Sequence, residues 1–568
     1  MKNDMRTFRI RFVSAFIVLG ALIIFSKLYM VQIVHGESYS DQADRQYSRP
    51  SSQAFNRGSI SFTTKDGERI DAATLKTGYT VTLNPSQLLY PEDAYNGLSF
   101  LLDLEEESFM EKANKSEDPY EEIAKRVPPN IARDIKSLDL EGVSLYKNKW
   151  RYYPGKSLSA HTIGFMSYRG DDLRGQYGLE RYYNDVLERN DQNLYANFFV
   201  ELFSNIGDTI SGKSKEGSIV TTIEPTVQSF VEKELETVIE KWGSDEAGAI
   251  VMNPKNGEIY AIALNPTFDL NEFGSVEDAT VFRNDLVEGV YEMGSIVKPL
   301  TMAIGLDTGA VTAETTYDDK GSVTLNGSTF YNYDKKARGV VDMQTVLNQS
   351  LNTGVSFVVQ KVGNEKFSEY MKKLIGEETG IDLPNEASPL VSNLDTKRDI
   401  EHATASFGQG IAMTPIAITK ALAALGNGGF LVEPHLVKSI DYEMGYERDV
   451  VPNDPERIFS EKTSEEISRM LVRVVDEALA NGDLALPNHS VAAKTGTAQI
   501  ANSSSGGYYD DQFLHSFFGY FPAYDPEFIV FLYNVHPRGA QYASQTLTDP
   551  FMEITKFLIN YYNVPPDR

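Results

Sequence analysis

Cysteine is absent from the 568 residues. That excludes disulfide scaffolds, cysteine-based zinc sites, thiol nucleophiles and acyl anchoring through cysteine. Histidine is scarce: His35, His161, His402, His435, His489, His515 and His536 are scattered without paired spacing, so no histidine metal site is expected. Positive charge is also short, with 53 Lys and Arg against 80 Asp and Glu and a net charge of −27. Phosphate backbones need basic surface, so nucleic acid is excluded as a partner. The acidity reads as solubility. What is present is globular in balance, 41% hydrophobic and 23% charged. The length allows about three or four domains and a core that needs no covalent staple.

Long apolar runs are missing as well, except at the N-terminus. Residues 1–11 carry Lys2, Arg6, Arg9 and Arg11 against Asp4 alone, and residues 12–26 are uncharged and almost wholly apolar. Lys27 interrupts before Leu28-Tyr29-Met30-Val31 resumes the run to Val34. A membrane-spanning helix needs about 20 residues, which 12–34 supplies, with Lys27 near the outer end where it can snorkel. Lys27-Leu28-Tyr29-Met30 is no small-x-small cleavage site. The expectation is a cytoplasmic tail (1–11), one uncleaved anchor in the cell membrane (12–34), and the bulk of the chain outside.

Residues 35–215 read as one tyrosine-rich, patchily charged region, and 216–568 as a more regular second domain. In the first, Arg57-Gly58-Ser59-Ile60 followed by Lys65-Asp66-Gly67-Glu68 predicts strand, turn, strand. The acidic stretch 104–126 predicts an exposed helical insertion ended by Pro128-Pro129. The small polar residues of 204–217 suit a boundary. In the second, 218–223 predicts a strand, and Glu224-Pro225 opens a helix with Val227, Phe230, Val231, Val238 and Trp242 on one face. The segments 249–252 and 259–264 flank a hairpin turn. Residues 491–500, 516–520 and 528–535 read as strands, and Asp549-Pro550 starts a closing helix. Strands first, helices in the middle, then strands and a helix imply an α+β domain with an antiparallel sheet packed with helices.

Three motifs then occur in order: Ser295-Ile296-Val297-Lys298, Ser350-Leu351-Asn352 and Lys494-Thr495-Gly496-Thr497. Residues i and i+3 share a helix face, so the Lys298 amine reaches toward the Ser295 hydroxyl. A serine hydroxyl attacks well only when a base takes its proton. Lysine serves as that base only if burial and a nearby cation lower its pKa, and Lys494 is such a cation. Ser350 can relay a proton from Lys298, and Asn352 offers an amide to the lysine and to a substrate carbonyl. The Lys494 segment predicts a strand along which an extended peptide lies, with Thr495, Gly496 and Thr497 against it and the Lys494 charge toward a carboxylate. Backbone N–H groups of Ser295 and Thr497 are the expected oxyanion donors. Single motifs of this kind are weak: Ser144-Leu145-Tyr146-Lys147 and Lys76-Thr77-Gly78 are decoys that run in the wrong order with no S-x-N between them. Gly408-Gln409-Gly410 reads as a backbone turn, Gly426-Asn427-Gly428-Gly429 as a helix cap, Glu180 as structural, and His515 as packing.

The ordered set resembles the transpeptidase domain of class B penicillin-binding proteins, most like the division-type monofunctional ones. The likeness extends to Tyr291-Glu292-Met293-Gly294, Phe407-Gly408-Gln409-Gly410-Ile411, Thr414-Pro415 and Leu425-Gly426-Asn427-Gly428-Gly429. Arg57-Gly58-Ser59-Ile60 and Gly178-Leu179-Glu180 resemble the pedestal signatures of the same family. Met293 stands where that family usually has Pro, and Ala493 where Gly is common. The resemblance implies a dimerisation-type pedestal over 35–215 and a penicillin-binding transpeptidase domain over 216–568. It implies cross-linking of peptidoglycan stem peptides through a Ser295 acyl-enzyme, inhibition by β-lactams, and no cofactor or metal. It further implies partnership with a polytopic membrane glycosyltransferase and other wall-synthesis proteins. A D,D-carboxypeptidase or β-lactam hydrolase using the same serine is the open alternative, and a non-enzymatic scaffold or sensor is disfavoured by the intact Ser295, Lys298, Ser350 and Lys494.

Overall fold

The computed structural model describes residues 56–115, 118–170, 172–189, 216–442, 445–502 and 506–568. The expected tail (1–11), anchor (12–34) and most of the boundary at 204–217 lie outside the described residues. Among the described residues no helix is long and apolar enough to cross a membrane.

The chain forms two compact units, and it passes between them within two of its strands. Residues 75–150 form one unit. Strand β2 (Arg69–Leu83) follows β1 (Ile60–Thr63) after the predicted turn, with Thr63 opposite Arg69 in antiparallel register. From Leu75 on, β2 belongs to this first unit, where it pairs with β3 (Glu121–Val127) and β4 (Val143–Tyr152). Helices α1 (Pro91–Ser99), α2 (Glu106–Ala113) and α3 (Pro129–Ser137) cover these strands. The core here is small, built from Val81, Leu83, Leu98, Phe109, Val127 and Ile135 with a few neighbours.

The stretch 104–126 corrects the expectation of one exposed helix. Only Glu106–Ala113 is helical, and it buries Phe109 and Ala113, which lie one turn apart on a single face. Glu121–Val127 instead adds a strand to β2. The charge that suggested one solvated helix is divided between α2 and this strand, where Lys125 and Arg126 are exposed and Glu121 and Glu122 half-buried. Pro129 does not end a helix; it opens α3, where the missing N–H costs nothing.

The second unit comprises residues 57–74, 151–189 and 216 onward among those described. Its main sheet has five antiparallel strands: β6 (Glu246–Met252), β7 (Ile259–Asn265), β13 (Ala492–Ala501), β14 (Tyr508–Phe521) and β15 (Phe528–Val535), in the spatial order 13-14-15-6-7. Between them in sequence come the strands β8 (Thr316–Asp319), β9 (Ser322–Leu325), β10 (Ser328–Tyr331), β11 (Gly339–Asp342) and β12 (Val437–Tyr442). A separate strand, β5 (Gly217–Thr221), pairs parallel with β1 and antiparallel with β12.

Helix α4 (Pro225–Trp242) lies where the Glu224-Pro225 signal put it. The Glu224 carboxylate caps it by accepting from the Val227 N–H at 2.7 Å. Val227, Val231, Leu235 and Val238 are buried, whereas Phe230 and Trp242 sit at the edge of the core. Phe230 stacks on Phe557 of the closing helix α10 (Thr548–Tyr562) with ring centroids 4.1 Å apart. Helix α5 (Lys298–Asp307) is mostly apolar and is buried from Lys298 to Gly305, as a helix inside a core is. It packs against α7 (Asn352–Val362) and α9 (Glu461–Arg473), both of which touch α6 (Met343–Asn348); α8 (Pro415–Ala423) lies between α7 and α9 in sequence. The mixed α/β content and antiparallel sheet agree with the α+β expectation.

Glu180 is structural, as expected. It is fully buried and accepts from Arg57 Nε at 2.7 Å and Arg151 Nε at 2.5 Å. Burial alone would raise its carboxyl pKa, but the charges of Arg151 and Arg57 outweigh that and hold it below its ordinary value.

Candidate active site

The three motifs, far apart in sequence, come from one 3₁₀ turn, one helix start and one sheet edge. Gly294–Val297 forms the 3₁₀ turn that runs straight into α5. Three residues make one turn of such a helix, so Ser295 and Lys298 share a face. Lys298 is only 1% exposed. Its Nζ donates to the Ser350 carbonyl at 2.5 Å and lies 3.0 Å from the Ser350 hydroxyl. Burial, and after it the positive charge of Lys494, push the Lys298 pKa well below the ordinary lysine value. Taking an ammonium out of water is costly, which is why burial shifts the balance toward the neutral amine. Both causes foreseen from sequence, burial and a cation beside Lys298, are present, with burial the larger.

Ser350 joins α6 to α7 with φ of 54°, a left-handed conformation rare for a residue with a side chain. It turns the Ser350 carbonyl and hydroxyl to the same nitrogen. Asn352 opens α7, and its Nδ2 donates to the Tyr331 carbonyl at 2.8 Å. The lysine is therefore held by Ser350, not by the Asn352 amide. An amide nitrogen has two hydrogens, and the Tyr331 contact uses one of them.

Lys494, Thr495, Gly496 and Thr497 lie on β13, an edge strand paired only with β14 among the described residues. Its other side offers unpaired backbone groups to an extended peptide. Burial lowers the Lys494 pKa to about 8, and Nζ donates to the Thr495 carbonyl at 3.1 Å. The Thr497 hydroxyl accepts from the Ala543 N–H at 3.0 Å.

The Gly294–Val297 turn sits hard against this strand. A Cβ on Gly496 would come within 2.4 Å of Ser516 Oγ and 2.8 Å of the Met293 carbonyl. Ser516 Oγ in turn donates to that carbonyl at 2.9 Å. Gly294 has φ of +62°, and a Cβ there would lie 2.7 Å from the Thr497 carbonyl. The Gly408 carbonyl accepts from the Gly294 N–H at 3.3 Å, so the Gly408-Gln409-Gly410 turn does form the floor behind Ser295. Glu292 ties down the other side of that turn by accepting from the Gly410 N–H at 3.0 Å.

Sequence reasoning missed Tyr331 and Ser516. Each acts through a backbone carbonyl, its own or that of Met293, and no residue pattern announces such a contact. The decoys fall away on geometry. Ser144 and Lys147 are on strand β4, where positions three apart face opposite sides. Lys76-Thr77-Gly78 lies on the part of β2 that belongs to the first unit, which has no S-x-N motif, whereas the 295, 350 and 494 motifs all belong to the second. His515 is fully buried, hydrogen-bonded to Thr546 Oγ1 at 2.8 Å, and burial lowers its pKa to about 4, so it is neutral packing. Among the described residues, no cluster of three or more His, Asp or Glu side chains is placed to hold a metal ion.

Residues 247–555 match the penicillin binding protein transpeptidase domain, and residues 56–193 match the penicillin-binding protein dimerisation domain. The chain belongs to the class B penicillin-binding proteins. Stage V sporulation protein D of Bacillus subtilis is 31% identical over 554 residues, 96% of this chain and 84% of that relative. The probable peptidoglycan D,D-transpeptidase PenA of Neisseria gonorrhoeae is 27% identical over 579 residues, 99% of this chain and 94% of that one. A crystal structure of penicillin binding protein 3 from Mycobacterium tuberculosis, complexed with aztreonam, has the same fold. It superposes with a TM-score of 0.69 at 22% identity, covering 91% of this chain and 98% of that one.

Proposed function

We propose that this penicillin-binding protein is a serine-type peptidoglycan D,D-transpeptidase, with Ser295 as nucleophile and Lys298 as its base. The observation that carries the reading is the buried Lys298 amine 3.0 Å from the Ser350 hydroxyl and one helical turn from Ser295, with burial pushing its pKa down. Ser295 Oγ attacks the carbonyl between the two terminal D-alanines while its proton passes to the Lys298 amine. The backbone N–H groups of Ser295 and Thr497 are the assigned donors for the oxyanion. The C–N bond then breaks, and D-alanine leaves with the proton, which travels by way of Lys298 and Ser350. An amine from a neighbouring stem peptide attacks the acyl-serine, restoring Ser295 and closing the cross-link. Lys494 draws in the donor carboxylate, Asn352 holds a substrate carbonyl, and Thr495 and Gly496 line the strand on which the donor lies.

β-Lactams imitate the D-Ala-D-Ala end and acylate the same serine. Mass spectrometry of the protein after exposure to a labelled penicillin tests this: a persistent adduct on the peptide holding Ser295 supports it. An adduct elsewhere overturns the assignment. Rapid turnover of the adduct, or release of D-alanine without cross-linking, points to a hydrolase with water as acceptor.

The domain limits follow the same reading, a pedestal over 35–215 and a transpeptidase domain over 216–568. The basic 1–11 and apolar 12–34 place the N-terminus in the cytoplasm and the rest outside the cell membrane. Neither matched domain is a glycan polymerase, so the enzyme works beside a polytopic membrane glycosyltransferase that supplies nascent strands in septal or lateral wall synthesis. Replacing 1–34 with an unrelated span and co-purifying from membranes tests that pairing. Undiminished recovery of a polymerase counts against the helix as the contact. Polymerisation of lipid-linked disaccharide by the purified protein alone overturns the need for a partner.

A further inference from the structure

The Ser350 turn carries the proton relay, yet its own backbone is a short left-handed link between α6 and α7. Its position against Lys298 must be set from outside. The contacts that set it converge on Asp319, which ends β8 and is 1% exposed. Asp319 Oδ1 accepts from Thr353 Oγ1 at 2.7 Å, from the Gly321 N–H at 3.0 Å and from Asn332 Nδ2 at 3.1 Å. Its Oδ2 accepts from Asn332 Nδ2 at 3.1 Å and the Arg338 N–H at 3.0 Å. Hydrogen bonds to an ionised acceptor are the stronger kind, and buried networks of them fix one geometry.

Two of these partners lead directly to the motif. Thr353 is the residue after Asn352, in the first turn of α7. Asn332 follows β10, and its Oδ1 accepts from the Thr353 N–H at 3.2 Å. Next to Asn332 is Tyr331, whose carbonyl takes the Asn352 amide at 2.8 Å. Tyr317, on the same strand as Asp319, adds a 3.1 Å contact to Thr353 Oγ1. The start of α7 and the end of the β9–β10 hairpin are thus tied to one carboxylate.

We propose that Asp319 is a positioning residue for the acyl-transfer site. It holds the start of α7 and the Tyr331 carbonyl in one register. In that register Ser350 meets Lys298, and the second Asn352 N–H stays free for the substrate carbonyl. The inference rests on the reading of Ser295 as the acylated nucleophile. Nothing in the Ser350-Leu351-Asn352 motif hints at Asp319, which lies in a polar Asp318-Asp319-Lys320-Gly321 stretch that reads as an ordinary turn.

The test is stopped-flow acylation of the full-length protein by a fluorescent penicillin, comparing wild type with Thr353→Val, Thr353→Ser and Asp319→Asn. Valine keeps the shape of threonine and removes the hydroxyl that Asp319 accepts. Serine keeps that hydroxyl. The expected result is an acylation rate constant about tenfold or more lower in Thr353→Val, since small misplacements of reacting groups cost this much. Thr353→Ser is expected within about threefold of wild type, and Asp319→Asn to fall with Thr353→Val. A melting temperature measured alongside identifies any variant that fails to fold. Should Asp319→Asn be one, the valine and serine pair decides. A wild-type rate in Thr353→Val overturns the proposal, as does an equal loss in Thr353→Ser. An unlabelled Ser295 in the wild type overturns the underlying reading as well, which a labelled wild type with an unaffected Thr353→Val does not.

Discussion

The Lys298 side-chain nitrogen lies 3.0 Å from the Ser350 hydroxyl and donates to the carbonyl of the same residue. A lysine nitrogen that donates to a carbonyl and still meets a hydroxyl has its lone pair available only if it is uncharged. Burial and Lys494 both favour that form. With its pKa depressed, Lys298 keeps the neutral form to lower pH than an ordinary lysine, and the proposed base role is lost as pH falls through the lowered value. Lys494 acts in the opposite sense under the proposed function, where its charge attracts a carboxylate, and that charge is lost as pH rises through about 8.

Acylation by a penicillin should therefore follow a bell-shaped pH profile whose alkaline limb falls near pH 8. The two limbs belong to the interacting pair of lysines. Lys298→Arg should be nearly as damaging as Lys298→Ala, because a guanidinium does not give up its proton. Rates from pH 5 to 10 for the three proteins check this. An arginine variant within tenfold of wild type would remove Lys298 as the base.

Ser295→Ala should abolish penicillin labelling and cross-linking while leaving the melting temperature near that of wild type. The loss expected for a nucleophile that acts within a unit is about 10⁴–10⁶-fold in rate. Ser144→Ala should leave labelling unchanged, because Ser144 lies on a strand, where Lys147 faces the other side. Gel labelling of both variants decides between them.

Much of this site was legible before any coordinates. The order of the three motifs named Ser295, Lys298, Ser350, Asn352 and Lys494, and the structure gathers them on one turn, one helix start and one edge strand. The hairpin at 253–257, the helix opened by Pro225 and the last three strands were also readable, because each has a local signal in turn residues or periodicity, although β14 starts at Tyr508, well before the expected 516. The stretch 104–126 was not. Its charge density suggested a solvated helix, yet residues 121–127 find a partner in β2, and strand pairing is a long-range fact that composition does not carry. Asp319, Tyr331 and Ser516 were invisible for the same reason. Each acts on a residue distant in sequence, through a buried carboxylate, a carbonyl or a hydroxyl that any polar turn or strand could supply.

The contact between the nucleophile turn and the Lys494 strand makes a further prediction at Gly496. A methyl group there meets Ser516 Oγ and the Met293 carbonyl, which cannot both retreat without moving Ser295. Gly496→Ala should lower the acylation rate by about tenfold or more. Combining it with Ser516→Ala, which removes the nearer atom, should recover part of the loss. Independent, additive losses in the double variant would show that the clash is not the cause.

Arg57, Arg151 and Glu180 form one buried ion cluster. Its geometry lies wholly inside the second unit, remote in kind from the chemistry, so its effect should appear in stability alone. Glu180 is fully buried with two arginines on its two oxygens. Replacing it with Gln leaves two buried guanidinium groups facing a neutral amide. Breaking a buried pair by removing one partner costs about 3–5 kcal/mol, so Glu180→Gln should lower the melting temperature markedly at pH 7. The sign with pH is fixed by the lowered carboxyl pKa. A depressed folded-state pKa contributes stability above the unfolded value, about 4.3, and that contribution is lost as pH falls through the folded value. The gap in melting temperature between wild type and Glu180→Gln should thus be widest near neutral pH and narrow steadily below about pH 4. Calorimetric scans from pH 3 to 8 measure it. A gap that is absent at pH 7, or that widens in acid, would mean the arginines are satisfied without Glu180.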